Sequence, residues 1–315
     1  MKNEPADLAR VTTYPLAERR NKVSIRRDFA RHVSAGMSVA DLLEAMPDQL
    51  GARGLRAVVS AVVEARKKGK PVVMAIGGHV IKCGLQPVLR SLVEAGAITA
   101  FAMNGSAAVH DYEISLIGET SEDVAAALHS GMFGMAEETG RDINRALKQG
   151  VTKKLGFGEA LGSFIIDSGN PHRDFSLLAL CAERGIPATV HVAIGTDIVH
   201  QHPEADGAVI GAATFTDFRI FTTVVGALGQ GGVFLNVGSA VIMPEVFLKA
   251  LSIAQNIGDR VEGFTTANFD MTQHYRPLEN VLKRPTSTGG RSYAVTGHHE
   301  IMLPLLAAAV LDRIG

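Results

Sequence analysis

The stretch Pro71-Val72-Val73-Met74-Ala75-Ile76-Gly77-Gly78 decides the fold class. Its apolar run is too short for a helix and stops at two glycines, which indicates a buried strand followed by a turn. A helix is predicted next, over residues 84–95, and a second run of the same kind extends from Ile98 to Met103. Strand, glycine turn and helix in this order are typical of βαβ units.

The same alternation continues to the end of the chain. Further strands are predicted over residues 188–192, 233–237, 261–267 and 292–295, with helices between them and a closing helix over 299–314. This order predicts an α/β protein whose doubly wound, mostly parallel sheet of five or six strands has helices on both faces. Residues 1–53 are charged and helical in pattern, so we expect an N-terminal helical extension before an α/β domain over 54–315.

Composition narrows the class of protein. The 315 residues include 31 basic and 32 acidic ones, for a net charge of -1. That balance does not favour binding to nucleic acid or a membrane surface, and no apolar run reaches the roughly 20 residues that span a bilayer. The polar, charged first thirty residues argue against a signal peptide, and the two distant cysteines, Cys83 and Cys181, argue against a disulfide framework. We therefore expect a cytoplasmic protein, with the basic segment 19–31 as a solvated face or an oligomer contact.

Glycine and polar residues follow almost every predicted strand. In an open α/β sheet, ligands bind beyond these carboxyl ends, where glycines allow close approach and helix N-termini offer N–H groups to phosphate. The pattern predicts a nucleotide or other anionic ligand, although neither GxGxxG nor a P-loop lysine is present. The candidate positions are Gly77-Gly78, Asn104-Gly105-Ser106 with His110 and Asp111, Thr196-Asp197, Gly238-Ser239, Asn268 and Asp270, and Gly297-His298-His299.

Two other groups of residues leave alternatives open. His200 and His202, near His298 and His299, resemble a metal-ligand pair, so a metal-dependent hydrolase stays possible from the residues alone. Neither HExxH nor zinc-ribbon spacing is present. Lys283 ends a loop-like stretch, residues 275–283, where it is either an exposed loop lysine or a nucleophile able to form a Schiff base.

The order of these motifs resembles the deoxyhypusine synthase family over roughly residues 55–315. The likeness rests on Gly84 through Asn104-Gly105-Ser106 to His110-Asp111, on Pro187 through Thr196-Asp197, and on Gly231-Gly232-Val233, followed by Thr265–Asp270, Arg276-Pro277 and the helix at Pro304-Leu305-Leu306. The resemblance implies a Rossmann-like fold, NAD as cofactor and assembly as a homotetramer. It also implies an amine or polyamine-like substrate that is dehydrogenated to an imine.

The resemblance, together with the turns, gives each candidate residue an expected role. The family's Trp-Gly-Lys is Val281-Leu282-Lys283 here, and Asn236 stands where the family has a histidine. A non-catalytic, ligand-binding paralogue is therefore a further alternative. The expected cofactor residues are Gly77, Gly78, Asn104, Gly105, Ser106, Thr196, Asp197, Gly297 and His298; the substrate residues are Asp270, Glu279, Asn236 and His299; the catalytic residues are Lys283, Asp111 and His110.

Overall fold

A computed structural model describes residues 4–314 of the chain. Its strands are β1 Val72–Ile76, β2 Ala100–Asn104, β3 Ala188–His191, β4 Val233–Val237, β5 Thr265–Asp270 and β6 Arg291–Thr296. They form one six-stranded sheet in the order β3-β2-β1-β4-β5-β6, and every neighbouring pair is parallel. This is the Rossmann order, in which the direction of winding reverses between β1 and β4. The predicted doubly wound, Rossmann-like α/β fold is confirmed.

Helices connect the strands and cover both faces of the sheet. A π-helix, Leu278–Lys283, follows directly on α13, and single 3-10 turns lie at Leu8–Arg10, Leu16–Glu18, Arg173–Phe175 and Ile198–Gln201. The α-helices of the described residues are, in chain order, α1 Ile25–Asp28, α2 Val39–Ala45, α3 Leu50–Lys67, α4 Gly78–Lys82, α5 Gln86–Glu94, α6 Gly105–Ile117, α7 Val124–His129, α8 Glu137–Thr152, α9 Phe157–Asp167, α10 Leu177–Arg184, α11 Gly207–Gly226, α12 Ile242–Asn256, α13 Tyr275–Pro277 and α14 His299–Ile314.

Alternation along the strands divides the buried side chains between two cores. One face of β1 packs with α3, α5, α6, α10 and α14 in the main core. The other face packs with α11 and α12, where the rings of Phe234 and Phe247 stack at a centroid distance of 3.7 Å. Strands buried on both faces are expected to be uniformly apolar, as β1 is.

Helix α11 has the length and composition that could cross a membrane, with a mean hydropathy of 1.3. No continuous apolar run marks this helix in the sequence, because Thr214, Asp217 and Arg219 interrupt its apolar residues. In the structure Phe221 and Val225 of α11 are buried in the second core, and the Val190 N–H of β3 donates to the Asp217 carboxylate at 2.7 Å. These contacts are those of a core helix in an α/β fold.

Two stretches differ clearly from the sequence-based expectation. Strand β5 begins at Thr265, not at residue 261, so Asn268 and Asp270 lie inside the strand. The stretch 275–283, expected to be loop-like, is helical because Pro277 is tolerated in a first turn and Val281 and Leu282 are buried.

The N-terminal residues divide into two parts by burial. Among residues 4–37, Asp28 is the buried residue, held by Arg27 and by the Ser24 N–H. From α2 onward the chain joins the main core through Leu43. The division of the chain after residue 53 stays a prediction.

Candidate functional site

A cleft lies at the carboxyl ends of β1, β2 and β3, where the fold predicts a ligand. Its cavity has a volume of about 240 Å³. A larger cavity, about 380 Å³, lies at the amino ends of β4, β5 and β6, which is not where open α/β sheets bind ligands. The cleft is lined by the predicted site residues Ser106, His110, Thr196 and Asp197, and also by Lys82, Val109, Glu113, Ser121, Glu122, Val124, Phe133 and Ile198.

Two glycines let the turns that form this cleft pack together. A Cβ at Gly78 would lie 2.2 Å from Ser106 Oγ and 3.1 Å from His110 Cδ2. A Cβ at Gly105 would lie 2.3 Å from the nearer carboxylate oxygen of Asp197. Contacts this short are possible only without a side chain, so both glycines are required by packing. They bring the ends of β1, β2 and β3 to one place.

Asn104 and Ser106 show how the end of β2 is built. Asn104 is the N-cap of α6, and its Oδ1 accepts the Ala107 N–H at 2.9 Å. The first N–H groups of a helix have no acceptor within the helix. Those of Gly105 and Ser106 are therefore available to a ligand, at the positive end of the helix dipole.

His110 belongs to a hydrogen-bonded network on the cleft wall. Its Nδ1 lies 2.7 Å from Thr120 Oγ1, and Thr120 in turn donates to Glu113. Thr139 donates to the other oxygen of Glu113 at 3.0 Å. Burial alone would raise the pKa of Glu113, but the His110 ring, whose Nδ1 lies 3.8 Å from Oε2, and the hydrogen bonds from Thr120 and Thr139 outweigh it and hold that pKa below its ordinary value. The network fixes the His110 ring through Nδ1 and leaves Nε2 for the cleft.

Three carboxylates line the cleft, those of Glu113, Glu122 and Asp197, and the last follows β3. Burial raises the pKa of Asp197, while His200 and the Thr196 hydroxyl oppose the rise. The turn is fixed by His200, whose Nδ1 accepts the Gly195 N–H at 3.1 Å and the Asp197 N–H at 3.4 Å. His200 thus has a structural role in holding Asp197 at the cleft.

The four histidines of the metal hypothesis do not form one cluster. The ring of His202 packs on Gly140, and its Nδ1 accepts the Glu204 N–H at 3.2 Å. His298 and His299 follow β6, at the opposite edge of the sheet from β3. Within residues 4–314, no group of three or more His, Cys, Asp or Glu side chains is placed to hold a metal ion.

A second polar group lies at the carboxyl ends of β4, β5 and β6. Asn236 donates to Ser239 O at 2.9 Å and to Asn268 Oδ1 at 2.6 Å, and Asn268 donates to Gln273 at 2.7 Å. Asn236 has 0% exposure. It therefore ties the turns together beneath the surface and does not face an open site, contrary to its predicted role with substrate.

His299 connects this second group to the turn after β1. Its ring centroid lies 6.1 Å from that of His79, and a Cβ at Gly238 would lie 2.7 Å from its Nε2. Burial lowers the pKa of His299, and the nearby Asp270 carboxylate partly opposes this. Burial therefore disfavours the charged form of His299, while Asp270 favours it.

The remaining predicted cofactor residues follow β1 and β6. A Cβ at Gly77 would lie 2.1 Å from Gly238 O, so the turns after β1 and β4 are in contact. Gly297 donates its N–H to Asp270 O at 3.2 Å. His298 is exposed, with Nδ1 3.7 Å from Glu300. Gly297 and His298 are about three strand spacings, roughly 14 Å, from β1.

Asp111 does not belong to the cleft. Its carboxylate, 0% exposed, accepts hydrogen bonds from Ser176 Oγ at 2.5 Å, Leu177 N–H at 2.8 Å and Leu178 N–H at 3.2 Å. Burial raises its pKa to about 6, against the effect of these hydrogen bonds. Asp111 anchors the start of α10, and its predicted role in proton transfer is not supported by this position.

Lys283 and Glu279 also lie away from the cleft. The Lys283 ammonium pairs with Glu279 at 2.5 Å on the π-helix, and 67% of the lysine side chain is exposed. Neither residue lines the cleft. The structure therefore places the predicted nucleophile in a surface ion pair, since the helix that replaces the expected loop turns it towards solvent.

Sequence reasoning missed Lys82, Glu113 and Phe133, which line the cleft. Lys82 ends the short helix α4, and its position depends on that helix stopping after five residues. The spacing of Glu113 from His110, three residues on one helix, was a usable signal. Phe133 comes from the segment between α7 and α8, which no local pattern connects to the cleft.

Comparison with known proteins gives structural likeness without sequence likeness. No family model and no curated protein matches the sequence. A solved structure described as a LOR/SDH protein from Methanococcus maripaludis has a TM-score of 0.51 and 16% identity, over 84% of this chain and 71% of that one. A structure described as a deoxyhypusine synthase from Entamoeba histolytica has a TM-score of 0.51 and 9% identity, over 88% and 94%.

A third similar structure contains both a cofactor and an amino acid. AgrE, solved as a ternary complex with ornithine and NAD+, has a TM-score of 0.51 and 17% identity over 85% of this chain. The chain spans about a third of AgrE, 34% of its length. At these identities the likeness establishes the fold. The chain therefore shares its Rossmann-like architecture with deoxyhypusine-synthase-like, LOR/SDH and AgrE structures.

Proposed function

We propose that this chain is an NAD-binding enzyme that dehydrogenates an amine or amino-acid-like substrate. One observation carries the proposal: Ser106, His110, Thr196 and Asp197 meet at the carboxyl ends of β1–β3, in a sheet of Rossmann order. In this fold class a dinucleotide binds across the carboxyl ends of the strands on either side of the point where the winding reverses, here between β1 and β4, and the cleft covers the β1–β3 side of that point.

The residues of the cleft fit the chemical parts of a dinucleotide. Lys82 and the first turn of α6, with the Ser106 hydroxyl, offer positive charge and N–H donors for phosphates. The Asp197 carboxylate is an acceptor for ribose hydroxyls, and Phe133 with Val109 offers an apolar wall for a base. Bound NAD would supply the hydride acceptor for the reaction.

The reaction that we propose converts a C–N single bond to an imine. The substrate carbon gives up a hydride and the substrate nitrogen gives up a proton. His110 is the proposed proton acceptor, because Thr120 holds its Nδ1 and leaves Nε2 towards the cleft. Asp270 beside His299 is the proposed contact for a cationic substrate group. Water then hydrolyses the imine, or a second amine takes it up.

The similar structures support this substrate class. AgrE was solved with ornithine and NAD+, and another similar structure is described as a deoxyhypusine synthase. Ornithine carries amines, and NAD+ is the hydride acceptor that the proposal requires. The proposed reaction needs no lysine nucleophile, which agrees with the exposed position of Lys283. We further propose that the protein acts in the cytoplasm.

The decisive experiment is a titration of the purified protein with NAD by calorimetry, followed by a survey of amines and basic amino acids for NADH formation. We expect saturable NAD binding and turnover of at least one amine. Nicotinamide mononucleotide and inorganic phosphate are the controls, and each should bind more weakly than NAD. If millimolar NAD gives no heat of binding, the proposed cofactor is wrong. If NAD binds but no amine in the survey is turned over, the protein is a ligand-binding paralogue without this activity.

A further inference from the structure

The two edges of the sheet differ in how their backbone groups are satisfied. On β3 the outward groups are closed by α11: Asp217 accepts the Val190 N–H at 2.7 Å, and Thr214 Oγ1 donates to Val190 O at 2.9 Å. On β6 the Arg291 N–H donates inward to Phe264 O. Because backbone groups alternate in direction along a strand, Ser292, Ala294 and Thr296 direct their N–H and C=O groups outward.

The outward groups of Ser292, Ala294 and Thr296 have no partner among residues 4–314. A groove of about 600 Å³ runs along these residues beneath the first turn of α3. We name this the edge groove; it is lined by Leu50, Gly51, Gly54, Tyr293 and the three outward residues, with Arg53 on its rim. Edge strands in natural proteins are normally protected by lysine, proline, a bulge or a cover. Strand β6 contains neither lysine nor proline and pairs with β5 without a bulge, and the start of α3 covers it in part.

The N-terminal arm, residues 4–37, is exposed to solvent except at Asp28 and Met37. It exposes 62% of Val11, 63% of Tyr14 and 67% of Leu16. The run Val11-Thr12-Thr13-Tyr14 consists of strong strand formers and ends at Pro15. The arm therefore contains an extended segment that is not paired in a sheet, and the edge groove exposes a strand edge that has no neighbouring strand in the described part of the chain.

We propose that the edge groove of one copy binds Val11–Tyr14 of a second copy as a seventh, antiparallel strand. With Val11 opposite Thr296, Thr13 is opposite Ala294, and both pairs exchange backbone hydrogen bonds. Tyr14 then lies beside Tyr293 and beneath Leu50, which is 90% exposed in the single chain. The added strand brings no helix that would occupy the space above it. It therefore fits into the edge groove beneath the first turn of α3.

Charge agrees with this antiparallel direction. It brings Glu18, four residues after Tyr14, towards the Arg291 end of β6, where Arg291 has no ion-pair partner among the described residues. It brings Arg10 towards the other end, near Glu300. Exchange of arms between copies would make a homo-oligomer whose contacts lie on the far edge of the sheet from the cleft.

The test uses full-length protein and two proline variants of the arm. In the proposed register Thr13 directs its N–H to β6 and Thr12 directs its N–H away, so Thr13→Pro removes a pairing donor and Thr12→Pro is the matched control. Light scattering after gel filtration should give at least twice the monomer mass for the wild type and for T12P, and a mass lower by a factor of two for T13P. Because arm side chains are exposed, neither variant should affect folding.

Hydrogen exchange of the Ala294 and Thr296 amides gives a second measurement. We expect protection that rises with protein concentration in the wild type and is lost in T13P. A monomeric wild type with unprotected amides overturns the proposal, as do equal effects of T12P and T13P. Protection that does not depend on concentration also overturns it, because the chain would then cover its own edge.

Discussion

The carboxylate of Asp197 packs against the backbone of Gly105, so closely that a Cβ at position 105 would lie 2.3 Å from Oδ2. Gly105 is the first residue of α6, and Asp197 is the N-cap of the 3-10 turn after β3. The contact therefore connects the ends of two neighbouring strands. A side chain at position 105 must push the Asp197 turn out of the cleft.

Replacement of Gly105 by alanine should lower both stability and NAD affinity. Overpacking of this kind costs about 1–3 kcal/mol, and displaced Asp197 should weaken NAD binding about tenfold, equivalent to about 1.4 kcal/mol. Chemical denaturation and NAD titration measure the two effects. Gly207→Ala is the matched control, because Gly207 is also the first residue of its helix and a Cβ there meets nothing within 4 Å. Equal results for the two variants would contradict the assigned packing.

Lys82 should contribute to NAD affinity through its charge. It lines the cleft, and we expect Lys82→Gln to raise the Kd for NAD about tenfold at low salt, with a smaller effect at high salt because screening weakens the contact. Calorimetry at two salt concentrations measures this. Lys283→Gln is the comparison, since Lys283 pairs with Glu279 at the surface and should leave the Kd unchanged. A larger loss for Lys283→Gln than for Lys82→Gln would restore the lysine role that the family resemblance implies.

Strand patterns predicted the fold well because they report a local property. A buried strand such as Val72–Ile76 needs uniformly apolar residues, and the glycines after it are needed by turns wherever they occur. The six parallel strands and their helices follow from such signals. The predicted bounds of strands were less accurate where apolar and polar residues mix, as at the start of β5. Burial at such positions depends on the elements that pack against them.

The site was predicted only in part, since side-chain direction is a tertiary property. Ser106, His110, Thr196 and Asp197 line the cleft, and they were candidates because they come soon after the ends of β2 and β3. Asp111 was misassigned although it is adjacent to His110: successive residues of a helix point in different directions, and Asp111 points into the protein. Lys82 was missed because nothing in its local sequence reveals that α4 is short.

Asp111 should behave as a structural residue. Asp111→Ala leaves the Ser176 hydroxyl and the N–H groups of Leu177 and Leu178 buried without their acceptor. Each such group costs about 1–3 kcal/mol, so we expect the free energy of unfolding to fall by more than about 3 kcal/mol. Urea denaturation measures it. Asp111→Asn keeps an acceptor oxygen and should lose less stability while keeping turnover. Stable D111N protein without turnover would return Asp111 to the proton-transfer role.

Asp217 should make stability depend on pH. It is 1% exposed, and burial, stronger than the hydrogen bonds from Val190 and Gly158, raises its pKa from 3.8 to about 7. Because the folded pKa lies above the unfolded one, folded protein holds the extra proton between these values. The stabilisation is complete below about pH 3.8 and is lost as pH rises to about 7. Asp111, with a pKa raised to about 6, adds a similar loss at lower pH.

Between pH 6 and 7 the folded Asp217 carboxyl loses its extra proton. This loss lowers the free energy of unfolding by up to about 1.4 kcal/mol per pH unit, and His191 and His299 oppose it, because burial lowers their folded pKa values and they bind more protons in the unfolded chain. Asp217→Asn should therefore make the slope of the free energy of unfolding against pH more positive, because asparagine does not titrate. Urea denaturation at closely spaced pH values measures both slopes, with Asp206→Asn as an exposed control. An unchanged slope in D217N would assign the titration to another group.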